Sequence, residues 1–249
     1  INRHGFRGEM FPHQKEAGEF RIIVVGDSCV FGVAGEENPW PARAEQRFAT
    51  LSGESNIRVV NAGVEGQSSV HCWMRLKRLL SFTPDMLVIA VVANDLFIEN
   101  PADYLEITTP EYVSSWEVIG EYPREKEMST VVRGERRSMT QMDFYPYNYA
   151  KHLHGIIREA RDAGVLSVLM TSPPLIPAEI SLAHTSHLEK MHHPPFVLPG
   201  DMKTMRRLYD IYNNAVRRLA ADENVPLVDG EVFIQEFYDD KRHDLFSDT

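Results

Sequence analysis

The sequence has few cysteines, no long hydrophobic run and no excess of positive charge, and each absence excludes a class of protein. Only Cys29 and Cys72 occur among the 249 residues, which is too few for a disulfide framework or a cysteine-based metal site. No apolar run approaches the ~20 residues that a membrane-spanning helix needs. The formal net charge of −10 argues against a surface that binds nucleic acid or an anionic membrane. What is left is an ordinary globular composition, with 43% hydrophobic and 25% charged residues.

Several widespread sequence motifs are also missing. The chain contains no glycine-rich phosphate-binding loop and no dinucleotide-binding glycine fingerprint. The G-x-S-x-G nucleophile elbow is incomplete around Ser28, because Val30 stands where the second glycine would be. These absences set aside the P-loop proteins, the dinucleotide-binding proteins and the hydrolases that depend on that elbow.

The two ends of the sequence do not look like natural chain ends. The first residue is Ile1 rather than methionine, and the closing residues, DLFSDT, do not complete a helix. We therefore expect the natural chain to extend further, so that a signal peptide or membrane anchor could precede Ile1. The corresponding expectation is an extracytoplasmic or membrane-anchored location in a bacterium. Composition does not identify the oligomeric state.

Short apolar runs alternate with amphipathic segments, which predicts alternating strands and helices. The predicted strands are Arg21–Val25, Ile57–Val60, Met86–Val92, Val165–Met170 and Pro226–Val228. The predicted helices are residues 39–51, 70–80, 147–163, 201–221 and 231–238. Strands separated by helices form parallel sheets that are covered on both faces. We therefore expect one α/β domain, residues 1–249, with a three-layer, doubly wound, five-stranded parallel sheet of flavodoxin-like order.

Three segments lack any regular spacing of apolar residues. Residues 1–20 are interpreted as an irregular N-terminal arm that lies across the domain. Residues 98–143 and 175–200 are too long for ordinary connections, so both are interpreted as insertions, and the first could form a lid.

Polar clusters follow three successive predicted strands. They are Asp27-Ser28, Asn61-Ala62-Gly63 and Asn94-Asp95. Because the carboxyl ends of parallel strands meet at one edge of a sheet, we expect these clusters to converge. Ser28 offers a nucleophilic hydroxyl, the Gly63 N–H is open to close approach, and the Asn94 amide is a donor. The three groups make half of an acyl-transfer site, which still needs a general base.

Other interpretations of these residues need no catalysis. The stretch around Ser28 could be a plain strand-to-helix turn. Asp27 and Asp95 are interpreted as structural groups whose hydrogen bonds support turns. Cys29 is interpreted as a small packed residue rather than a nucleophile. Four histidines raise a metal hypothesis, but they lie in a Pro-rich, irregular stretch and we expect no metal site. They are His184, His187, His192 and His193.

Taken in order, the motifs resemble those of the SGNH (GDSL-type) hydrolase superfamily, and of its bacterial GDSL-like lipases and acylhydrolases in particular. The matching segments are Gly26-Asp27-Ser28 with Gly32, Gly63 in NAGVEG, Asn94 in VANDLF, and Leu245–Thr249 as the start of an Asp-x-x-His motif. The segment Asn2–Gly8 resembles the arm of a bacterial subgroup. The chain departs from the family at Val92, which stands where the family's Gly-x-Asn-Asp motif has its glycine.

The resemblance implies a role for each matching residue. Ser28 would be the nucleophile, and the oxyanion hole would consist of the Ser28 N–H, the Gly63 N–H and the Asn94 side chain. Asp248 would orient a histidine base expected just beyond Thr249. His243 is the alternative base, although it precedes the aspartate rather than following it. No metal or organic cofactor is implied.

The predicted function is that of a serine esterase or acylhydrolase acting through an acyl-enzyme. Its substrate would be a small-molecule or carbohydrate carboxylic ester, a thioester, or an O-acetyl group on a carbohydrate. Two alternatives stay open: an O-acyltransferase of the same fold, and a non-catalytic domain that binds a carbohydrate or another partner. The sequence does not identify the acyl chain length or the alcohol part of the substrate.

Overall fold

The structure is a computed structural model that describes residues 1–32, 38–52, 56–98, 145–174, 176–177 and 202–238. The described strands are β1 (Phe20–Gly26), β2 (Ile57–Gly63), β3 (Met86–Ala90), β4 (Leu166–Met170) and β5 (Leu227–Val228). The described helices are α1 (Ser28–Phe31), α2 (Trp40–Ser52), α3 (Ser69–Leu80), α4 (Ala93–Ile98), α5 (Tyr147–Asp162), α6 (Met202–Glu223) and α7 (Gly230–Tyr238).

The described strands form one parallel sheet in the order β2-β1-β3-β4-β5. This is the flavodoxin-like order, and it confirms the predicted doubly wound α/β fold. In the register of the sheet, Gly26 of β1 pairs with Gly63 of β2 on one side and with Ala90 of β3 on the other. The three strands therefore end together, at the edge where the polar clusters were expected to meet.

Strand β1 lies between β2 and β3, and it is buried on both faces because it is almost entirely apolar and β-branched. Ile23 and Val25 belong to the larger core cluster, which takes its other members mainly from α3, α5 and α6. Ile22 and Val24 alternate with them and pack with Val30 of α1 in a smaller cluster on the other face. The alternation of side chains along β1 thus places helices on both sides of the sheet.

One predicted strand end is wrong and one helix was not predicted, and both lie beside the carboxyl edge. β2 continues to Gly63, so Asn61–Gly63 lie inside the strand rather than after it. β3 ends at Ala90, and α4, which the sequence analysis did not predict, begins at Ala93. The ends of the remaining predicted helices and strands are confirmed to within about two residues.

The N-terminal segment packs against the domain through aromatic contacts. Phe6 and Phe11 are buried, and their rings lie 5.0 Å and 5.9 Å from the ring of Phe82. Arg7 forms an antiparallel bridge with Asn61 at the open edge of β2. The segment therefore contacts β2, the strand whose Asn61 side chain also bonds to α1.

The predicted insertions, residues 98–143 and 175–200, lie outside the described residues apart from Ile98, Ile176 and Pro177. None of the helices in the described ranges is both long enough and apolar enough to cross a membrane.

Candidate active site

Ser28 stands at the point where β1 turns into α1. β1 ends at Gly26, Asp27 is the N-cap residue, and Ser28 is the first residue of a helix that contains only four residues. The first N–H groups of a helix have no acceptor within it, and they carry the positive end of the helix dipole. The Ser28 side chain is exposed, and its Oγ has no hydrogen-bond partner among the described residues. A hydroxyl in this position is open to a substrate.

Two glycines allow α1 to lie directly on the sheet. A Cβ on Gly26 would come within 2.1 Å of the Ala90 carbonyl oxygen and 2.3 Å of Val30 Cγ2. A Cβ on Gly63 would come within 2.3 Å of the Phe31 backbone nitrogen. Real Cβ contacts are never this close, so any other residue at either position would displace α1 and Ser28 with it.

Asp27 ties the β1–α1 turn to the β3–α4 turn. Its buried carboxylate accepts hydrogen bonds from the backbone N–H groups of Cys29 at 2.9 Å, Val92 at 3.3 Å and Ala93 at 3.1 Å. Burial raises the pKa of Asp27, and these N–H groups act in the opposite direction. The interpretation of Asp27 as a structural group is confirmed, and its hydrogen bonds bring the start of α4 beside the β1–α1 turn that carries Ser28.

Asn94 lies in the first turn of α4, one residue after the Ala93 N–H that Asp27 holds. Its Nδ2 donates to the Gln67 carbonyl oxygen at 2.9 Å. The β2–α3 loop, residues 64–67, is therefore held against the Asn94 side chain. Asp27 thus connects the cluster at Ser28 to the cluster at Asn94. Asn94 in turn connects both to the loop after β2, through its hydrogen bond to Gln67.

Gly63 does not present the free N–H that the sequence analysis expected. That N–H donates to Asn61 Oδ1 at 3.0 Å, within the buried end of β2. Asn61 Nδ2 in turn donates to the carbonyl oxygens of Val30 and Phe31, at 2.9 Å and 3.2 Å. Gly63 and Asn61 therefore hold α1 in place, and the assignment of the Gly63 N–H as an oxyanion donor is corrected.

The loop after β2 contains a second glycine with a different geometry. Gly66 has a φ of +73°, a left-handed conformation that glycine adopts without strain, and no atom lies within 4 Å of the position of a Cβ on it. It directly precedes Gln67, whose carbonyl oxygen accepts from Asn94. The space beside the Gly66 Cα is thus open, whereas the Gly63 Cα lies against α1.

Ser69, His152 and Asp95 form a triad-like arrangement that the sequence analysis missed. Ser69 Oγ donates to Asp95 Oδ1 at 2.5 Å and lies 2.9 Å from His152 Nδ1, while the Ser69 N–H donates to Asp95 Oδ2 at 2.9 Å. Here the serine stands between the aspartate and the histidine, whereas in a hydrolytic triad the histidine stands between the other two. Ser69 is also completely buried. The cluster joins α3, α4 and α5, which confirms Asp95 as a structural group.

The remaining predicted groups of the site lie outside the described residues. These are Asp248, the alternative base His243 and the four histidines of the metal hypothesis, so the roles of Ser28, Asn94 and Asp248 stay predictions. Cys29 is exposed rather than packed, which corrects that interpretation. Among the described residues, no group of three or more His, Cys, Asp or Glu side chains is arranged to hold a metal ion.

Comparisons with known proteins agree with this geometry. The chain matches the GDSL-like Lipase/Acylhydrolase family over residues 24–249. Similar solved structures include a variant of Axe2, an acetyl-xylooligosaccharide esterase from Geobacillus stearothermophilus, with 18% identity, 87% of this chain and 78% of that one covered, and a TM-score of 0.54. The lipase/acylhydrolase of Enterococcus faecalis has 17% identity, with 88% and 80% covered and a TM-score of 0.50. At such identities these structures show a shared fold.

A search among curated proteins finds no match to this chain. The family match nevertheless covers most of the sequence and includes both Ser28 and Asn94. The chain therefore belongs to the GDSL-like lipase/acylhydrolase family, the SGNH hydrolases, whose members act on ester bonds.

Proposed function

We propose that this chain is a serine esterase that cleaves a carboxylic ester through an acyl-enzyme on Ser28. The observation that carries the proposal is the exposed Ser28 hydroxyl, which opens the one-turn helix α1 at the carboxyl edge of the sheet. Asp27 fixes this turn against α4, so that nucleophile and donors are arranged before a substrate arrives. Preorganised hydrogen-bond donors are usually the largest source of transition-state stabilisation in such sites.

In the first half of the reaction, Ser28 Oγ attacks the carbonyl carbon of the ester. The carbonyl oxygen becomes an oxyanion, and the hydroxyl proton passes to a general base. The predicted base is a histidine oriented by Asp248, and it returns the proton to the departing alcohol as the acyl-enzyme forms. In the second half, water attacks the acyl-enzyme with the help of the same base, and the released carboxylic acid leaves Ser28 free again.

The proposed donors to the oxyanion are the Ser28 N–H, the Asn94 amide and the Gly66 N–H. The Asn94 amide has two N–H bonds, and the contact with Gln67 uses one of them. Gly66 replaces Gly63 in this proposal because the Gly63 N–H is bonded to Asn61, while no atom lies within 4 Å of the Cβ position at Gly66. Loss of a single donor from such a hole costs ~3–4 kcal/mol in the transition state.

The proposal is tested with a fluorophosphonate, which reacts covalently with activated serines. The full-length protein is treated with the probe and digested, and the modified peptide is identified by mass. The expected adduct is on Ser28, and Ser28→Ala abolishes it, while Ser69→Ala keeps it because Ser69 is buried away from solvent. An adduct on Ser69, or none on any serine of a folded and active preparation, would overturn the assignment.

The substrate class is tested separately, with chromogenic esters of acetate, butyrate and a long-chain acid. An acetylated xylooligosaccharide belongs in the same panel, because a structurally similar protein is named as an esterase for it. The expected result is release of a carboxylic acid from at least one ester without any acceptor sugar. Acyl transfer that occurs only with an acceptor sugar would replace the hydrolase proposal by a transferase.

A further inference from the structure

We propose that Arg7, in the N-terminal segment, is a positioning residue that holds the nucleophile turn α1 from its carboxyl end. The inference rests on the proposed role of Ser28 and extends it to a part of the chain that does not reach the reacting atoms. It follows from the way in which the carbonyl groups of α1 find their hydrogen-bond donors.

α1 is too short to be stable by itself. It contains four residues, and a single helical turn fixes several dihedral angles for very few hydrogen bonds. The carbonyl groups at the end of a helix have no donor within it. Each carbonyl from Cys29 to Gly32 instead accepts from a side chain of another element, so external contacts determine where α1 lies. These donors are Trp40, Asn61 and Arg7.

Arg7 makes the shortest of these contacts. Its Nη1 donates to the Phe31 carbonyl oxygen at 2.7 Å and to the Gly32 carbonyl oxygen at 2.7 Å. Its guanidinium carbon lies 4.8 Å from the centre of the Phe31 ring. A cation at the carboxyl end of a helix is also favourable because it complements the helix dipole there. One side chain therefore satisfies the last two carbonyls of the turn and covers its last side chain.

The segment that carries Arg7 is itself anchored. The Arg7 N–H donates to the Asn61 carbonyl oxygen at 3.2 Å, which fixes the backbone to β2. The neighbouring Phe6 is buried against Phe82. Asn2 closes the loop by accepting from the N–H groups of His4 and Phe6. Arg7 thus links a fixed backbone to the end of α1.

This arrangement has a catalytic consequence. A displacement of about 1 Å at a reacting group can lower an enzymatic rate about 100-fold. Ser28 lies one helical turn from the carbonyls that Arg7 holds, so a loss of those bonds allows the hydroxyl and its N–H to shift together. Lysine is not an equivalent replacement, because its compact ammonium lacks the planar guanidinium that lies over the Phe31 ring while Nη1 donates to both carbonyls.

The test compares Arg7→Lys and Arg7→Ala with Phe6→Leu, which loosens the same segment but keeps the guanidinium. All variants are assayed where circular dichroism shows them folded. We expect kcat to fall about tenfold in Arg7→Lys and further in Arg7→Ala, with KM nearly unchanged. Fluorophosphonate labelling of Ser28 should slow in parallel, and millimolar guanidinium should partly restore kcat in Arg7→Ala. Phe6→Leu should lower the melting temperature with little change in kcat.

Two results would overturn the inference. One is a kcat within twofold of wild type in both Arg7 variants. The other is an equal loss of kcat in Phe6→Leu, which would mean that general loosening of the segment explains the effect. If Arg7→Ala does not fold, Arg7→Lys alone decides between these outcomes. Failure of the proposed function is distinguishable, because wild-type protein would then carry no label on Ser28.

Discussion

Ser28 and Ser69 occupy equivalent places in the fold and have opposite surroundings. Each is the first residue of a helix that follows a parallel strand, and each lies close to a buried aspartate. Asp27 accepts from the N–H after Ser28, and Asp95 accepts from the N–H of Ser69 itself. Ser28 is exposed, whereas Ser69 is completely buried and its Oγ lies between a carboxylate and an imidazole.

The comparison teaches that a serine, a histidine and an aspartate in mutual contact are not enough for nucleophilic catalysis. The hydroxyl must face the substrate, and its proton must pass to the base rather than to the acid. The Ser69 proton is directed at Asp95, so His152 Nδ1 donates to Ser69 Oγ and does not take up the Ser69 proton. Ser28 is exposed, as the first requirement demands, whereas Ser69 is not.

The largest expected effect is that of the two serine-to-alanine substitutions on ester hydrolysis. Ser28→Ala should lower kcat on the order of 10⁴-fold or more, because removal of a nucleophile removes the covalent route. Its melting temperature should stay near that of wild type, since the side chain is exposed and has no described partner. Ser69→Ala should retain turnover. The opposite pattern of kcat values would make the buried cluster the catalytic one.

The second effect distinguishes a direct role of Asn94 in catalysis from a role in anchoring the loop after β2. Asn94→Ala should lower kcat about 10²- to 10³-fold with little change in KM, because an oxyanion donor acts only in the transition state. Gln67→Ala keeps the main-chain carbonyl that accepts from Asn94 but removes the Gln67 side-chain contact with Arg75. It should therefore cost far less activity. Equal losses in the two variants would show that Asn94 acts only by anchoring the loop.

The sheet and Ser28 could be predicted from the sequence because their signals are local. The β-branched run at Ile22–Val25 predicts a buried strand, and the glycine and polar residues after it mark the turn. Asn61 defeats the same reasoning. A polar residue normally marks the end of a buried strand, but its amide bonds to the carbonyls of α1, so the strand continues to Gly63. The error at Gly63 follows directly from the error in that boundary.

The buried serine cluster could not be predicted for a different reason. Ser69, Asp95 and His152 come from α3, α4 and α5, and no short spacing in the sequence connects them. The role of Arg7 is hidden in the same way, because the residue lies about 24 positions before its acceptor at Phe31. Contacts between distant segments depend on how the helices pack, which the order of the motifs does not contain.

The third effect concerns stability at the buried serine. Ser69→Ala leaves Asp95 with one fewer donor in a buried place, which should cost about 1–3 kcal/mol of unfolding free energy. The control is Ser81→Ala at the other end of α3, where an exposed hydroxyl donates to the Arg78 carbonyl oxygen. That change should cost no more than about 0.5 kcal/mol. Equal stability of the two variants in urea unfolding would show that the cluster is not a structural support.

The smallest effect is a dependence of stability on pH that arises beside the same serine. At the start of α3, the Ser68 N–H donates to His71 Nδ1 at 3.1 Å, which requires that nitrogen to be unprotonated. Burial lowers the pKa of His71 from 6.5, and the charge of Arg75 adds to the effect. The unfolded chain therefore takes up a proton first as the pH falls. The contribution of His71 is complete above about pH 6.5 and is lost below it.

Glutamine at position 71 can accept the same hydrogen bond and does not titrate, since Gln is a standard partner in a capping box. His71→Gln should match the wild-type free energy of unfolding near pH 8. Near pH 5 it should lose less stability than wild type, by a difference under about 1 kcal/mol. His154→Gln is the control. His154 is an exposed residue of α5 that pairs with Glu223 of α6, and it lies far along the chain from this cap. Parallel melting curves for wild type and His71→Gln across this range would show that His71 is not the titrating group. A weaker pH dependence in His71→Gln than in wild type would show that His71 is the titrating group. Because the α3 cap directly precedes Ser69, the helix that carries the buried serine would then have a start that responds to pH.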